Sequence, residues 1–137
     1  MKDNELRRGD YVLFYDKHKL GKIAIVDQVL RYSCLLLYDQ QIGANKWEDE
    51  ILIEYKKINP LHLTYQILER LGFIYDGANY VYNIYDTTKT IIEDTIKIEP
   101  CNTERTKWLF RGASLEYVHE LQHLLKDFKI NKNIVKL

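Results

Sequence analysis

Residues 11–38 read YVLFYDKHKLGKIAIVDQVLRYSCLLLY, and this stretch decides the fold. Three runs rich in Val, Ile, Leu and Tyr, at 11–15, 22–30 and 32–38, are separated by short polar breaks. No helical spacing of apolar residues persists through them. Short β-branched and aromatic runs between turn residues are what strands require. Residues 40–46, with Gly43 and Asn45, then read as a loop, and Trp47 leads into a fourth run at 51–55. Four or five short strands at this spacing predict a small antiparallel SH3-like β-barrel over residues 1–60.

Pro60 marks a boundary, after which the pattern changes. Thr64 is placed to cap a helix over 65–71, with Gly72 as its stop. Residues 73–75, the pair Asp76-Gly77 and a strand from Asn79 predict a hairpin with a type I′ turn. Along 79–85, NYVYNIY, Tyr80, Tyr82 and Ile84 alternate with Val81, Asn83 and Tyr85. Strands over 90–99 and 107–111 follow, the latter with Trp108 and Phe110 on one face. The run SLEYVHELQHLLKDF, 114–128, reads as an amphipathic helix capped by Ser114. Its apolar stripe is expected to bury Val118, Leu121, Leu125 and Phe128 against the sheet, and Ile134-Val135 to add an edge strand. The fold class is therefore α+β: the barrel at 1–60, then an α-β-β-β-α unit at 61–137.

Residues 119–123, His-Glu-Leu-Gln-His, match the HExxH pattern of zinc peptidases. Two His at i and i+4 on a helix can share one Zn²⁺, and the intervening Glu can serve as base on its bound water. A catalytic zinc also needs a third protein ligand. The extended motif places Gly and His three and six residues after the second His; Lys126 and Lys129 stand there instead. Asp127 is the only acid downstream, and His18 and His62 lie far upstream. On a helical wheel His119 and His123 fall opposite the apolar stripe, beside Glu116 and Lys126, which predicts a solvated face. The expectation is no metal and no catalytic residue. The alternative is a zinc-dependent hydrolase with His119 and His123 as ligands and Glu120 as base.

Twenty Lys and Arg balance twenty Asp and Glu, with ten of each sign already in residues 1–60. A chain that grips nucleic acid through phosphates carries a basic excess, so non-specific nucleic-acid binding is disfavoured. A local patch at Lys17, Lys19 and Lys22 and a nucleic-acid-binding barrel stay as an alternative. No apolar run reaches a membrane span, and the opening MKDNELRRGD lacks a signal-peptide core; a cytoplasmic location is expected and no membrane partner. Cys34 lies in the apolar run SCLLLY and reads as a buried thiol, whereas Cys101 follows Pro100 in a loop. GxxxxGK[ST] and GxGxxG are absent, Asp86-Thr87-Thr88-Lys89 has no glycine to close on a phosphate, and no cofactor is expected. The adjacent Glu48, Asp49 and Glu50 read as solvent charge.

Tyrosine is unusually frequent, 11 residues in 137. A flat ring with a hydroxyl stacks on bases or peptide groups at small entropic cost, so Tyr80, Tyr82 and Tyr85 are the candidate ligand-binding residues. The plainer reading is that β-propensity alone puts Tyr in strands.

Three segments, NELRRGDYV (4–12), INPLHLTYQILERLGF (58–73) and LEYVHELQHLL (115–125), together resemble a family of small uncharacterised proteins of Bacteroidetes phages and mobile elements. The resemblance implies a phage or prophage origin. Family members carry Gln and Asn where this chain has Glu120 and His123, which implies a helix that does not bind zinc. The chain departs from the family at Tyr65-Gln66, where an acidic helix start is usual. No activity and no site residue come with the resemblance. The expectation is a non-enzymatic phage accessory binding protein in the host cytoplasm, an anti-defence factor holding a nucleotide-like ligand or a host protein, with a homo-oligomer left open.

Overall fold

The computed structural model describes residues 5–38, 49–86, 88–130, 135 and 137. The chain divides into two compact units, Met1–Leu61 with Tyr117–Gln122, and His62–Glu116 with His123–Leu137. The fold is α+β with two open antiparallel sheets of five strands each.

The N-terminal sheet contains β1 (Tyr11–Tyr15), β2 (Gly21–Val29), β3 (Ser33–Tyr38), β4 (Asp49–Glu54) and β5 (Asn59–Pro60), in the order β4-β3-β2-β1-β5. A 3-10 turn, Tyr55–Lys57, precedes β5 and lets the chain return to β1. Alternation sends Val12, Phe14, Ala24, Val26, Cys34 and Leu36 to one face, where they close over Leu6 and Ile58. A bulge between Val26 and Gln28 interrupts the β2–β3 register. The β1–β2 turn is organised by Asp16, whose carboxylate accepts from the N–H groups of His18 and Leu20 at 2.9 and 3.0 Å. Those bonds, that to Leu20 foremost, hold its pKa below the ordinary carboxylate value. Cys34 is fully buried, and desolvation pushes its thiol pKa up. The expected loop at 40–46 and Trp47 lie outside the described residues.

The C-terminal unit opens with α1 (Tyr65–Arg70), whose Thr64 hydroxyl accepts from the Ile67 N–H at 3.2 Å. Gly72 ends it at φ +98°, as the sequence predicts. The sheet has five strands, the four runs read from the sequence and one more, against three in the α-β-β-β-α scheme: β6 (Ile74–Tyr75), β7 (Tyr80–Tyr85), β8 (Ile92–Pro100), β9 (Trp108–Phe110) and β10 (Ala113–Leu115), ordered β10-β9-β8-β7-β6. Tyr80, Ile96, Ile98, Trp108, Phe110 and Leu115 form its buried face. The Trp108 indole donates to the Leu63 carbonyl at 2.7 Å, so the largest core side chain leaves no polar atom unmatched.

Ser114 is not a helix cap. It sits in β10, opposite Leu109, because Arg111 and Gly112 both take positive φ, 49° and 82°, and turn the chain back after β9. Helix α2 therefore starts later, at Val118–Asp127. Val118, Leu121 and Leu125 are buried as expected, but Phe128 is 44% exposed; its ring meets Phe110 edge-on at 5.6 Å while Arg111 lies over it. The Asp76-Gly77 turn is not type I′ either. Only Gly77 has positive φ, Ala78 does not, and the Asp76 carboxylate takes the N–H groups of Ala78 and Asn79. Of the expected edge strand, Ile134 lies outside the described residues. No helix among the described residues is long and apolar enough to cross a membrane.

Candidate functional site

In the HELQH segment each residue has a place in the fold. Glu120 stands three residues after Tyr117 and accepts its backbone N–H at 2.9 Å, a carboxylate at a helix N-terminus in its favoured role. Leu121 is fully buried. The Gln122 amide spans the backbone leading into β1, accepting from the Tyr11 N–H at 2.9 Å and donating to the Gly9 carbonyl at 2.9 Å. His119 is only 6% exposed, its ring stacked on Tyr117 at 5.8 Å, and His123 is half-buried. The expected solvated face is thus corrected for His119. The reason is tertiary: Gln122, on the same side of the helix, meets the Gly9 and Tyr11 backbone, a layer that no wheel can anticipate. Among the described residues no three of His, Cys, Asp and Glu are grouped to hold a metal ion. The donor set for a third zinc ligand is therefore lacking there.

The three candidate tyrosines do not act together. Tyr80 is 1% exposed, edge-on to Trp108 at 5.7 Å and tilted against Tyr75 at 5.1 Å. Its hydroxyl accepts from Arg105 Nη1 at 3.3 Å, and the Arg105 guanidinium lies 4.7 Å over the Tyr75 ring. Tyr80 is core. Tyr82 lies on the same side of β7, tilted against Phe73 at 5.4 Å. It also lies so near Gly72 that a Cβ there would meet its ring at 3.3 Å. Tyr85 points to the opposite side and is 50% exposed.

That opposite side is the outer face of the sheet. Cross-strand pairing sets Ile74 with Val81, Val81 with Lys97, Asn83 with Thr95, and Tyr85 with Ile92. Ile74 and Ile92, paired with Val81 and Tyr85, are exposed at 73 and 49%, bare apolar surface at two places along this face. Gly72, Ile74, Asp76, Val81, Tyr82, Asn83 and Tyr85 line a shallow hollow of about 390 Å³ along the edge of β7, reached from this face. Its one ionisable acid, Asp76, is held below the ordinary carboxylate pKa by the N–H groups of Asn79 and Ala78 and is ionised at neutral pH. Among the described residues no Lys, Arg or His lines the hollow, although the charge of Lys97 also lowers the Asp76 pKa. The neighbouring Lys97 ammonium lies 3.9 Å from Glu99. Ile74, Asp76 and Asn83 were not candidates from the sequence. The alternation of 79–85 does group Val81, Asn83 and Tyr85, but only the pairing with β6 adds Ile74.

Comparison with protein-family models, curated proteins and solved structures finds no match for this chain.

Proposed function

We propose that this chain is a non-enzymatic binding protein that holds a partner protein on the outer face of its C-terminal sheet. The observation that carries the proposal is the exposure of Ile74, Tyr85 and Ile92 along this face, beside a hollow whose described lining carries one charge, a carboxylate. Bare apolar surface rimmed by polar groups suits a protein partner. A nucleotide signal fits less well, because its phosphates would meet Asp76 with no cation in the lining. The resemblance to phage and mobile-element proteins supports an accessory, anti-defence role in a host cell. In the N-terminal unit, the strand order β4-β3-β2-β1-β5 and the 3-10 turn before β5 support an SH3-like scaffold.

Affinity capture from host extract tests the assignment. The intact chain should retain a host protein that the double variant Ile74→Ser, Tyr85→Ser does not; retention unchanged by the pair would refute it. A thermal-shift panel of cyclic and linear nucleotides supplies the counter-test. Stabilisation by any of them that Tyr85→Ser abolishes would move the ligand from protein to nucleotide.

A further inference from the structure

We infer that the partner is held by strand addition: an extended segment of it pairs with the outer edge of β7 at Asn83 and Tyr85, places apolar residues in the hollow, and brings a Lys or Arg to Asp76. The inference rests on the protein-partner reading and names its mode.

Ladder geometry supplies the edge. Across the β6–β7 turn the Asp76 N–H donates to the Asn79 carbonyl at 3.0 Å. Antiparallel pairs alternate between bonded and non-bonded, so Ile74 and Val81 form the next bonded pair and Tyr75 and Tyr80 do not. The N–H and C=O groups of Val81, Asn83 and Tyr85 therefore point away from β8, while those of Tyr80, Tyr82 and Ile84 point toward it. Beyond Ile74 the chain leaves the sheet: the Phe73 N–H is bonded to the Leu68 carbonyl, at the end of α1. Among the described residues no strand faces Asn83 or Tyr85. Two residues of an edge strand thus present their backbone groups directly beside the hollow, the arrangement on which added strands dock.

Charge selects the occupant. Asp76 lines the hollow and Asp86 follows Tyr85 directly, with Glu93 exposed on β8. A second copy offering the same strand would bring its own Asp86 to the rim of a hollow that already holds Asp76. Two carboxylates there repel, and Lys97, whose charge reaches Asp76, is already shared with Glu99. A partner strand alternating apolar residues with Lys or Arg meets both features at once: its backbone pairs with Asn83 and Tyr85, its apolar side chains cover Ile74 and Tyr85, and its cation neutralises Asp76.

The probe is a short blocked peptide alternating Val and Lys, titrated into the full chain and followed by amide hydrogen exchange and calorimetry. Binding should protect the Asn83 and Tyr85 amides. Asn83→Pro removes one outward N–H, leaves the backbone bonds of the β7–β8 ladder and gives up the Thr95 hydroxyl bond to the Asn83 amide oxygen at 3.0 Å; it should weaken binding roughly tenfold, whereas Asn83→Ala, which loses the same side-chain bond and keeps the N–H, should not. Asp76→Asn keeps the turn-capping oxygen, removes the charge and should weaken the Lys peptide by a few-fold, about the worth of one exposed charge pair. Backbone N-methylation of the peptide asks the same question from the ligand side, so a misfolded Asn83→Pro chain does not shield the proposal. Equal affinity for the N-methylated peptide overturns strand addition, and equal affinity for a Glu-for-Lys peptide overturns the charge argument. Self-association of the unliganded chain that Asn83→Pro abolishes overturns it in favour of a second copy. Tyr85-dependent capture of a host protein that persists in Asn83→Pro overturns this mode alone and leaves the binding assignment standing.

Discussion

Strands β1 and β7 pose the same structural problem and receive different answers. Each is covered along one side by a two-residue strand, β1 by β5 at Val12 and Leu13, and β7 by β6 at Tyr80 and Val81. In β1 the Tyr11 end is closed by the Gln122 amide, which stands in for a strand by bonding the Tyr11 N–H and the Gly9 carbonyl, while Tyr15 at the other end has no strand beside it among the described residues. In β7 nothing among the described residues takes that place at Asn83 and Tyr85. An edge left open costs little in water but invites another chain. One sheet thus closes the start of its edge strand with a side chain from far along the sequence, and the other keeps two residues of its edge open beside an apolar hollow.

The contrast predicts where substitutions cost stability and where they cost binding. The largest effect belongs to the core beneath the open edge. Trp108→Ala should destabilise the C-terminal unit by roughly 3–5 kcal/mol in denaturant unfolding. A small cost would mean that the whole sheet is soft and the open edge no special feature. Next comes the closed edge: Gln122→Ala should cost about 1–3 kcal/mol, since both Tyr11 and Gly9 lose a bond at the start of β1. No loss would dissolve the contrast. Gly72→Ala should cost roughly 1–2 kcal/mol, because an L-residue resists φ +98° and its Cβ would press on the Tyr82 ring. It would also shift the wall of the hollow. At the open edge itself, Asn83→Pro should cost about 1 kcal/mol, the worth of the exposed Thr95 hydroxyl bond to the Asn83 amide oxygen.

The smallest effect is one of pH. The folded Asp76 carboxyl sits below its ordinary pKa of 3.8, so it stabilises the turn above that value and loses the contribution as pH falls through the folded pKa. The Ala78 and Asn79 amide resonances should report this loss in acid, and Asp76→Asn should remove it.

Local signals made much of this fold legible. Strand β1 matches its predicted run at both ends, and Thr64 and Gly72 bound α1 as read, because caps and alternation act over a few residues. Misreadings fall where distant parts of the chain intervene. Ser114 looks like a cap until Arg111-Gly112 folds it into a hairpin, and Arg at the first position of such a turn is a weaker signal than Asn or Asp. His119 looks solvated, yet it is buried with the Tyr117 ring stacked on it. Tyr80, Tyr82 and Tyr85 look like one stacking surface, yet the pleat parts them and Trp108 claims Tyr80. Gln122, an unspecified position of the HExxH pattern, carries the bonds that close β1; only its partners, more than a hundred residues earlier in the chain, reveal it.

The central claim is that β1 is closed at Tyr11 and β7 open at Asn83 and Tyr85. Amide hydrogen exchange of the chain alone tests it most directly. The account predicts slow exchange at Tyr11 and fast exchange at Asn83 and Tyr85, with Tyr82 and Ile84 protected between and beside them; protection at Asn83 and Tyr85 without any partner would contradict it.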